Sequence, residues 1–128
     1  MSGSPAVALD TSYVIALLKG AVTASYRLAD VAFPFAVIGE LRFGALNGRD
    51  PQQKLAELDG LTAESSILAA DQATAHTYAE LRHQLRLAGM PLPENDIWIA
   101  ACCIQHALPL LTLDEHFQRV PGLNFRSS

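Results

Sequence analysis

The chain has almost no cysteine. Its only two, Cys102 and Cys103, are adjacent, and neighbouring side chains on a helix point about 100° apart, which disfavours a disulfide between them. There is no C-x-x-C pair and no cysteine–histidine spacing suited to zinc. A reducing cytoplasm is therefore the expected compartment. Long apolar runs are missing too. The longest, Ile97 to Ile104, spans eight residues, against the roughly 18 that a membrane span needs. The start, Met1-Ser-Gly-Ser-Pro-Ala6, has no basic residue followed by an apolar stretch, so no secretion signal is expected. Positive charge is scarce: 9 Lys and Arg face 13 Asp and Glu, for a net charge of −4. That argues against holding nucleic acid on a broad basic face. It leaves room for an enzyme whose acidic site binds cations that then contact phosphate.

What is present is apolar. Hydrophobic residues make up 50% of 128, and charged ones 17%, which describes one globular domain, 1–128, with its own core. No repeat, low-complexity tract or linker interrupts it. Ala6 to Leu9 reads as a buried strand ending at Asp10, and Ser12 to Leu18 as a short helix stopped by Gly20. Val31 to Val37 is a strand if Pro34 lies at an edge or bend. A helix follows through Glu40, Leu41, Phe43 and Ala45 to about Asn47-Gly48. Asp50-Pro51 opens another, to about Leu58. Ser65 to Ala69 is a short strand. Asp71 to Ala88 is a long amphipathic helix ended by Gly89. After the loop Met90 to Glu94, Asn95 is placed to cap an apolar helix to about Ala107. Leu108 to Leu113 is a strand ending at Asp114, followed by a short helix through Phe117 and a strand at Leu123 to Phe125. Alternating strands and helices imply a mainly parallel sheet covered on both faces, a three-layer α/β/α arrangement. Its ligand site lies beyond the carboxyl ends of the strands, where Asp10 and Asp114 stand.

Each acid has an ordinary explanation. Asp10 and Asp114 make good helix caps, Asp96 suits a first helical turn, and Glu40 could be a solvated surface residue. Their contexts weigh against this. Glu40 is embedded in Phe35-Ala-Val-Ile-Gly-Glu-Leu-Arg-Phe-Gly-Ala45, and Asp96 opens a helix with almost no polar face. Burying clustered carboxylates is costly, and a divalent cation is the simplest compensation. Carboxylate oxygens are hard ligands that suit Mg2+ or Mn2+. Gly44 and Ala100 lie four residues after Glu40 and Asp96, on the same helix faces, where small side chains would permit close approach or ordinary tight packing.

Four segments, Leu9-Asp-Thr-Ser12, Ile38-Gly-Glu-Leu-Arg-Phe-Gly-Ala45, Pro93-Glu-Asn-Asp-Ile-Trp-Ile-Ala-Ala101 and Leu111-Thr-Leu-Asp-Glu-His-Phe117, occur in the order of the motif blocks of PIN-domain nucleases. The chain resembles that family over nearly its whole length, and within it the VapC-type toxins of toxin–antitoxin pairs. The resemblance implies a PIN-like fold, a metal-dependent endoribonuclease acting by a two-metal mechanism, an RNA substrate and a small antitoxin partner. It puts the metal-binding acids at Asp10, Glu40, Asp96 and Asp114, with the first three as main ligands and Asp114 on the second ion. The polar residue two before the last acid is Thr112, in a position to orient a ligand. Two positions depart from the pattern. Ala36 stands where a serine is common, and His116 stands where an acid is sometimes found, which weakens the expectation for a second metal.

Arg42, Arg82 and Arg86 are candidate phosphate contacts, and His116 a candidate substrate contact beside Asp114. Each arginine has a plainer reading as a solvated helix charge. His76, His83 and His106 read as surface or packing residues. Trp98 reads as core, although it and Tyr13 could stack bases. Converging acids would repel one another and raise at least one pKa in the metal-free fold. The mean hydropathy of +0.19 suggests a homodimer, with its interface around Tyr13–Leu18 and Leu41–Leu46. A phosphoryl-accepting receiver domain is disfavoured because the only lysines are Lys19 and Lys54. An aspartyl phosphatase would want an acid where Ser12 stands. The main alternative is a catalytically silent PIN-like module that binds only a protein.

Overall fold

The computed structural model describes residues 4–127. The first three residues, on which the expected lack of a secretion signal partly rests, lie outside them. The strands are β1 Val7–Leu9, β2 Val31–Pro34, β3 Ser66–Leu68, β4 Leu110–Leu111 and β5 Phe125–Arg126. The helices are α1 Thr11–Leu18, α2 Phe35–Leu46, α3 Pro51–Ala63, α4 Gln72–Leu87 and α5 Glu94–Gln105, with 3-10 turns at Leu28–Asp30 and Glu115–Arg119. β1 is apolar throughout because it is buried throughout, as a central strand covered on both faces must be.

The sheet order is β3-β2-β1-β4-β5, with every pair parallel. This is the expected PIN-like α/β architecture. From β1 the chain moves outward through β2 to β3, then crosses back to lay β4 on the other side of β1. The order reverses between β1 and β4, and a crevice opens beyond the carboxyl ends of strands at such a point. Alternate residues of a strand face opposite sides. Val31 and Phe33 accordingly enter the main core with Val7, Leu9 and Leu111. Ala32 and Leu68 instead pack with Cys102 of α5.

Several boundaries differ from expectation, each for a local reason. The run Val31 to Val37 is not one strand: β2 stops at Pro34, whose φ of −58° and ψ of 144° place it outside the helix that begins at Phe35. The run stays apolar because the first turn of α2 is also packed inward, with Val37 fully buried. α3 extends past Leu58 to Ala63 because Leu55, Leu58 and Leu61 continue one apolar stripe into the core. α4 carries a reciprocal capping box between Asp71 and Thr74, and Gly89, at φ 69°, closes it in the left-handed conformation that glycine tolerates.

Asn95 does not cap α5. That helix starts at Glu94, and the Pro93 carbonyl accepts from the amides of Asp96 and Ile97 at 3.0 and 3.2 Å. The expected strand Leu108–Leu113 contracts to Leu110–Leu111. Pro109 has no N–H to give the ladder, and Leu113 turns out to solvent. Pairing of Leu110 with Phe125 sets β5 at Phe125–Arg126 rather than Leu123–Phe125. Gly44 is not a point of close approach either. It is exposed, and a Cβ there would meet nothing within 4 Å.

Candidate active site

Asp10 is the N-cap of α1 and is 4% exposed. The extended backbone of a cap turns its carboxylate back over the first helical turn. One oxygen accepts from the Tyr13 amide at 3.1 Å and from Ser12 Oγ at 2.8 Å. The other accepts from Thr112 Oγ1 at 2.6 Å, across the β1/β4 reversal. Thr112 is fully buried and also accepts from the Asp114 amide at 2.9 Å. Ser12 Oγ takes the Leu113 amide at 3.2 Å. The strand ends are thus stitched together through hydroxyls.

Glu40 reaches the crevice from the middle of α2. Thr11 Oγ1 donates to its Oε1 at 2.5 Å, and Asn95 Nδ2 to its Oε2 at 3.3 Å. The amide expected as a cap is therefore spent on the site. Asp96 and Asp114 meet through His116, whose Nε2 lies 2.7 Å from Asp96 Oδ2 and whose Nδ1 lies 2.5 Å from Asp114 Oδ1. Side chains of this trio range from 18% to 40% exposed. Their ligand-capable atoms fall within 4.8 Å of one another. Asp10 and Glu40 are outside that tight group.

Electrostatics couple all four acids. Burial raises the pKa of Asp10 above the ordinary 3.8, opposed by its hydrogen bonds from Thr112, Ser12 and Tyr13, with a small further rise from Asp114. Burial also leads the rise at Asp96, opposed by His116, with Glu40 and Asp114 adding to it. The expected rise is present, but desolvation rather than mutual repulsion is its main cause. All the oxygens are hard donors suited to Mg2+ or Mn2+, and His116 adds a nitrogen.

The proposed arginines are not drawn into this group. Arg42 pairs with Asp59 at 2.9 Å on the surface. Arg82 donates to Tyr78 Oη at 2.6 Å and pairs with Glu94 at 3.4 Å. Arg86 lines a groove with Arg82 and Glu94. Tyr13 is core, at 4% exposed. Trp98 is half-buried, stacked on Tyr78 at 3.7 Å between ring centres. His76, His83 and His106 are exposed. Sequence reasoning passed over Thr11 and Ser12 as site residues and misread Asn95. Adjacency to Asp10 was a usable signal for the first two, whereas Asn95 depended on where α5 begins. A groove of about 360 Å³ runs from Thr11 and Glu40 between α1, α2 and α3, with Lys19, Arg49 and Lys54 at its rim.

A parallel sheet with acids around the crevice at its order reversal defines an α/β fold with an acidic site, where Asp96, Asp114 and His116 could hold an ion. The chain belongs to the PIN-domain family, whose model matches residues 7–123. It is 35% identical over 127 residues to Ribonuclease VapC5 of Mycobacterium tuberculosis, covering 95% of this chain and 93% of that one. It is 26% identical to Ribonuclease VapC1 of Haemophilus influenzae, covering 92% and 94%. Among solved structures, the VapBC-5 toxin–antitoxin system of M. tuberculosis superposes with a TM-score of 0.73 at 32% identity, over 98% and 97% of the chains. DNA-bound VapBC from Salmonella typhimurium gives a TM-score of 0.88 at 23% identity, over 95% and 97%, a likeness of fold. No helix among the described residues is long and apolar enough to cross a membrane.

Proposed function

We propose that this protein is a divalent-metal-dependent endoribonuclease and the toxin half of a toxin–antitoxin pair. The observation that carries this reading is the gathering of Asp10, Glu40, Asp96 and Asp114 from four separated segments into one electrostatically coupled crevice. The relatives named ribonucleases support the substrate. Asp10, Glu40 and Asp96 would be the main holders of Mg2+ or Mn2+, with Asp114 serving a second ion. Such ions supply an activated water and offset the charge that develops on the phosphate.

The chain's own residues prepare that chemistry. Thr112, Ser12 and the Tyr13 amide fix both oxygens of Asp10, and Thr11 and Asn95 hold Glu40. Preorganised ligands need no rearrangement when the reaction occurs. No side-chain nucleophile is required, and the cysteines are unsuited to the role. Both are buried, and desolvation pushes the Cys102 thiol to about 11 and Cys103 higher still. Arg42, Arg82 and Arg86 would contact the RNA backbone. Exposed ion pairs such as Arg42–Asp59 are worth little, so a phosphate can replace the partner.

Helix α2 divides the protein partners. Leu41, Gly44 and Ala45 line the groove that ends at Glu40, where an antitoxin segment would close the site. Phe43 and Leu46, at 69% and 62% exposed, would form the homodimer contact; Tyr13 and Leu41, placed there on sequence grounds, are buried core. The test is single-stranded RNA incubated with the purified chain and Mg2+ or Mn2+. Cleavage should stop in EDTA, and cleavage undiminished by chelation overturns the reading. Gly44→Leu should leave cleavage intact and weaken inhibition by the antitoxin.

A further inference from the structure

The most compact cluster of ligand atoms in this crevice is not all-oxygen. His116 is set between two carboxylates, with Nε2 2.7 Å from Asp96 Oδ2 and Nδ1 2.5 Å from Asp114 Oδ1. Its position is built by local structure. Asp114 caps the 3-10 turn Glu115–Arg119 by accepting from the His116 amide at 3.3 Å, and the ring lies 5.0 Å from that of Phe117. A quarter of its side chain reaches solvent, so a hydrated ion has access.

We propose that His116 is a nitrogen ligand in the second cation site, and that this site therefore selects Mn2+ over Mg2+. The inference rests on the metal-dependent reading above. A ligating imidazole commonly donates its other N–H to a carboxylate, which sets the ring orientation and strengthens the ligand. Here a carboxylate stands on each ring nitrogen, so the ring is oriented before an ion arrives, and ligation would replace one of these hydrogen bonds. Two ligands sharing an ion at about 2.1 Å each are at most about 4 Å apart. The three ligand atoms here lie within 4.8 Å of one another, so small rotations bring them onto one ion. Mg2+ strongly prefers oxygen and keeps its waters, while later divalent ions accept imidazole more readily. An acid at this position would remove that discrimination.

The experiment uses the triple variant H76A/H83A/H106A, which leaves His116 as the only histidine; the three replaced residues are all exposed. Pulsed EPR of this protein loaded with Mn2+ should show modulation from a directly bound 14N nucleus. His116→Asp in the same background should lose that modulation while still binding Mn2+. Its preference for Mn2+ over Mg2+, from calorimetric titration of each ion, should shrink by about tenfold or more. Bound Mn2+ without 14N modulation in the triple variant overturns the histidine ligand and leaves the metal-dependent nuclease standing. An unchanged Mn2+ to Mg2+ preference in His116→Asp overturns it too. Failure of the wild type to bind Mn2+ at all overturns both.

Discussion

The two sides of the acidic crevice are built differently. On the β1 side, Asp10 is almost fully buried and receives an amide and two hydroxyl donors, one of them carried by the neighbouring strand end. On the α5 side, Asp96 and Asp114 are partly exposed and both meet the ring of His116, with Asp114 also accepting the His116 amide. Asp10 is thus a fixed carboxylate whose geometry belongs to the fold. The Asp96–Asp114–His116 group is adjustable, since one imidazole rotation changes both carboxylates' surroundings. A rigid side and a movable side suit the proposed function, in which the site would hold an ion and also admit a bulky polyanion.

The sharpest way to break the comparison is to remove a carboxylate from each side. Asp10→Asn and Asp96→Asn should each lower cleavage by more than the roughly 10–100-fold typical of losing an outer-shell partner, measured by RNA cleavage at saturating Mn2+. Next, Thr112→Val removes the donor to Asp10 and the acceptor of the Asp114 amide. It should cost about 1–3 kcal/mol in unfolding stability and lower cleavage by about 10–100-fold. A neutral result would show that Asp10 needs no support from β4.

A third test concerns pH in the metal-free protein. Asp10 and Asp96 both have folded pKa values above the ordinary 3.8. Their contribution to stability is complete below that value and is lost as pH rises through the raised ones. Asp71 acts oppositely. Its pKa is lowered, chiefly by the Thr74 amide and Gln105, so its contribution disappears as pH falls; being exposed, it contributes less. In EDTA, Asp96→Asn should melt at or above wild type near neutrality and show a weaker decline as pH rises from acid. Mn2+ at a hundredfold excess over Kd should stabilise wild type by about 2.7 kcal/mol and the variant much less. A variant that melts well below wild type in EDTA, with an equal response to Mn2+, would make Asp96 a structural cap. The smallest effects lie outside the site. Ala107 has φ 54° at the end of α5, so Ala107→Gly should add up to about 1 kcal/mol. Gly44→Ala, at an exposed position of α2 with open space around it, should add about 0.5–1 kcal/mol, both read from chemical denaturation.

The layer order and two of the acids were legible because local patterns carry them. Asp10 and Asp114 follow apolar runs, and a run ending in an acid marks a strand's carboxyl end. Val31 to Val37 reads as one strand if Pro34 lies at an edge or bend, because the apolar run continues beyond Pro34 into a first turn of α2 that is packed inward like the strand before it. Hydrophobicity alone cannot separate two buried elements joined at a proline. Pro93 and Asn95 both fit the start of α5 by residue type, and only the fold shows that Asn95 is directed to Glu40, 55 residues away in sequence. The central place of His116 was illegible for the same reason: Asp114 is its neighbour in the chain, but Asp96 reaches it through tertiary packing.

The pairing of β1 with β4 sets Ala8 against Leu110 and Leu9 against Leu111, with nearly the whole chain in between. Such a parallel contact closes a very long loop and is slow to form, because the entropy of closure is lost before any hydrogen bond compensates. Thr112 meets Asp10 only across this pairing. Folding and arming of the site are therefore one event. A chain still emerging from the ribosome, or one frayed at β4 and β5, has its acids dispersed in water and lacks the crevice on which the proposed activity depends. The interval before β4 docks is time in which an inhibitor could bind before the crevice exists.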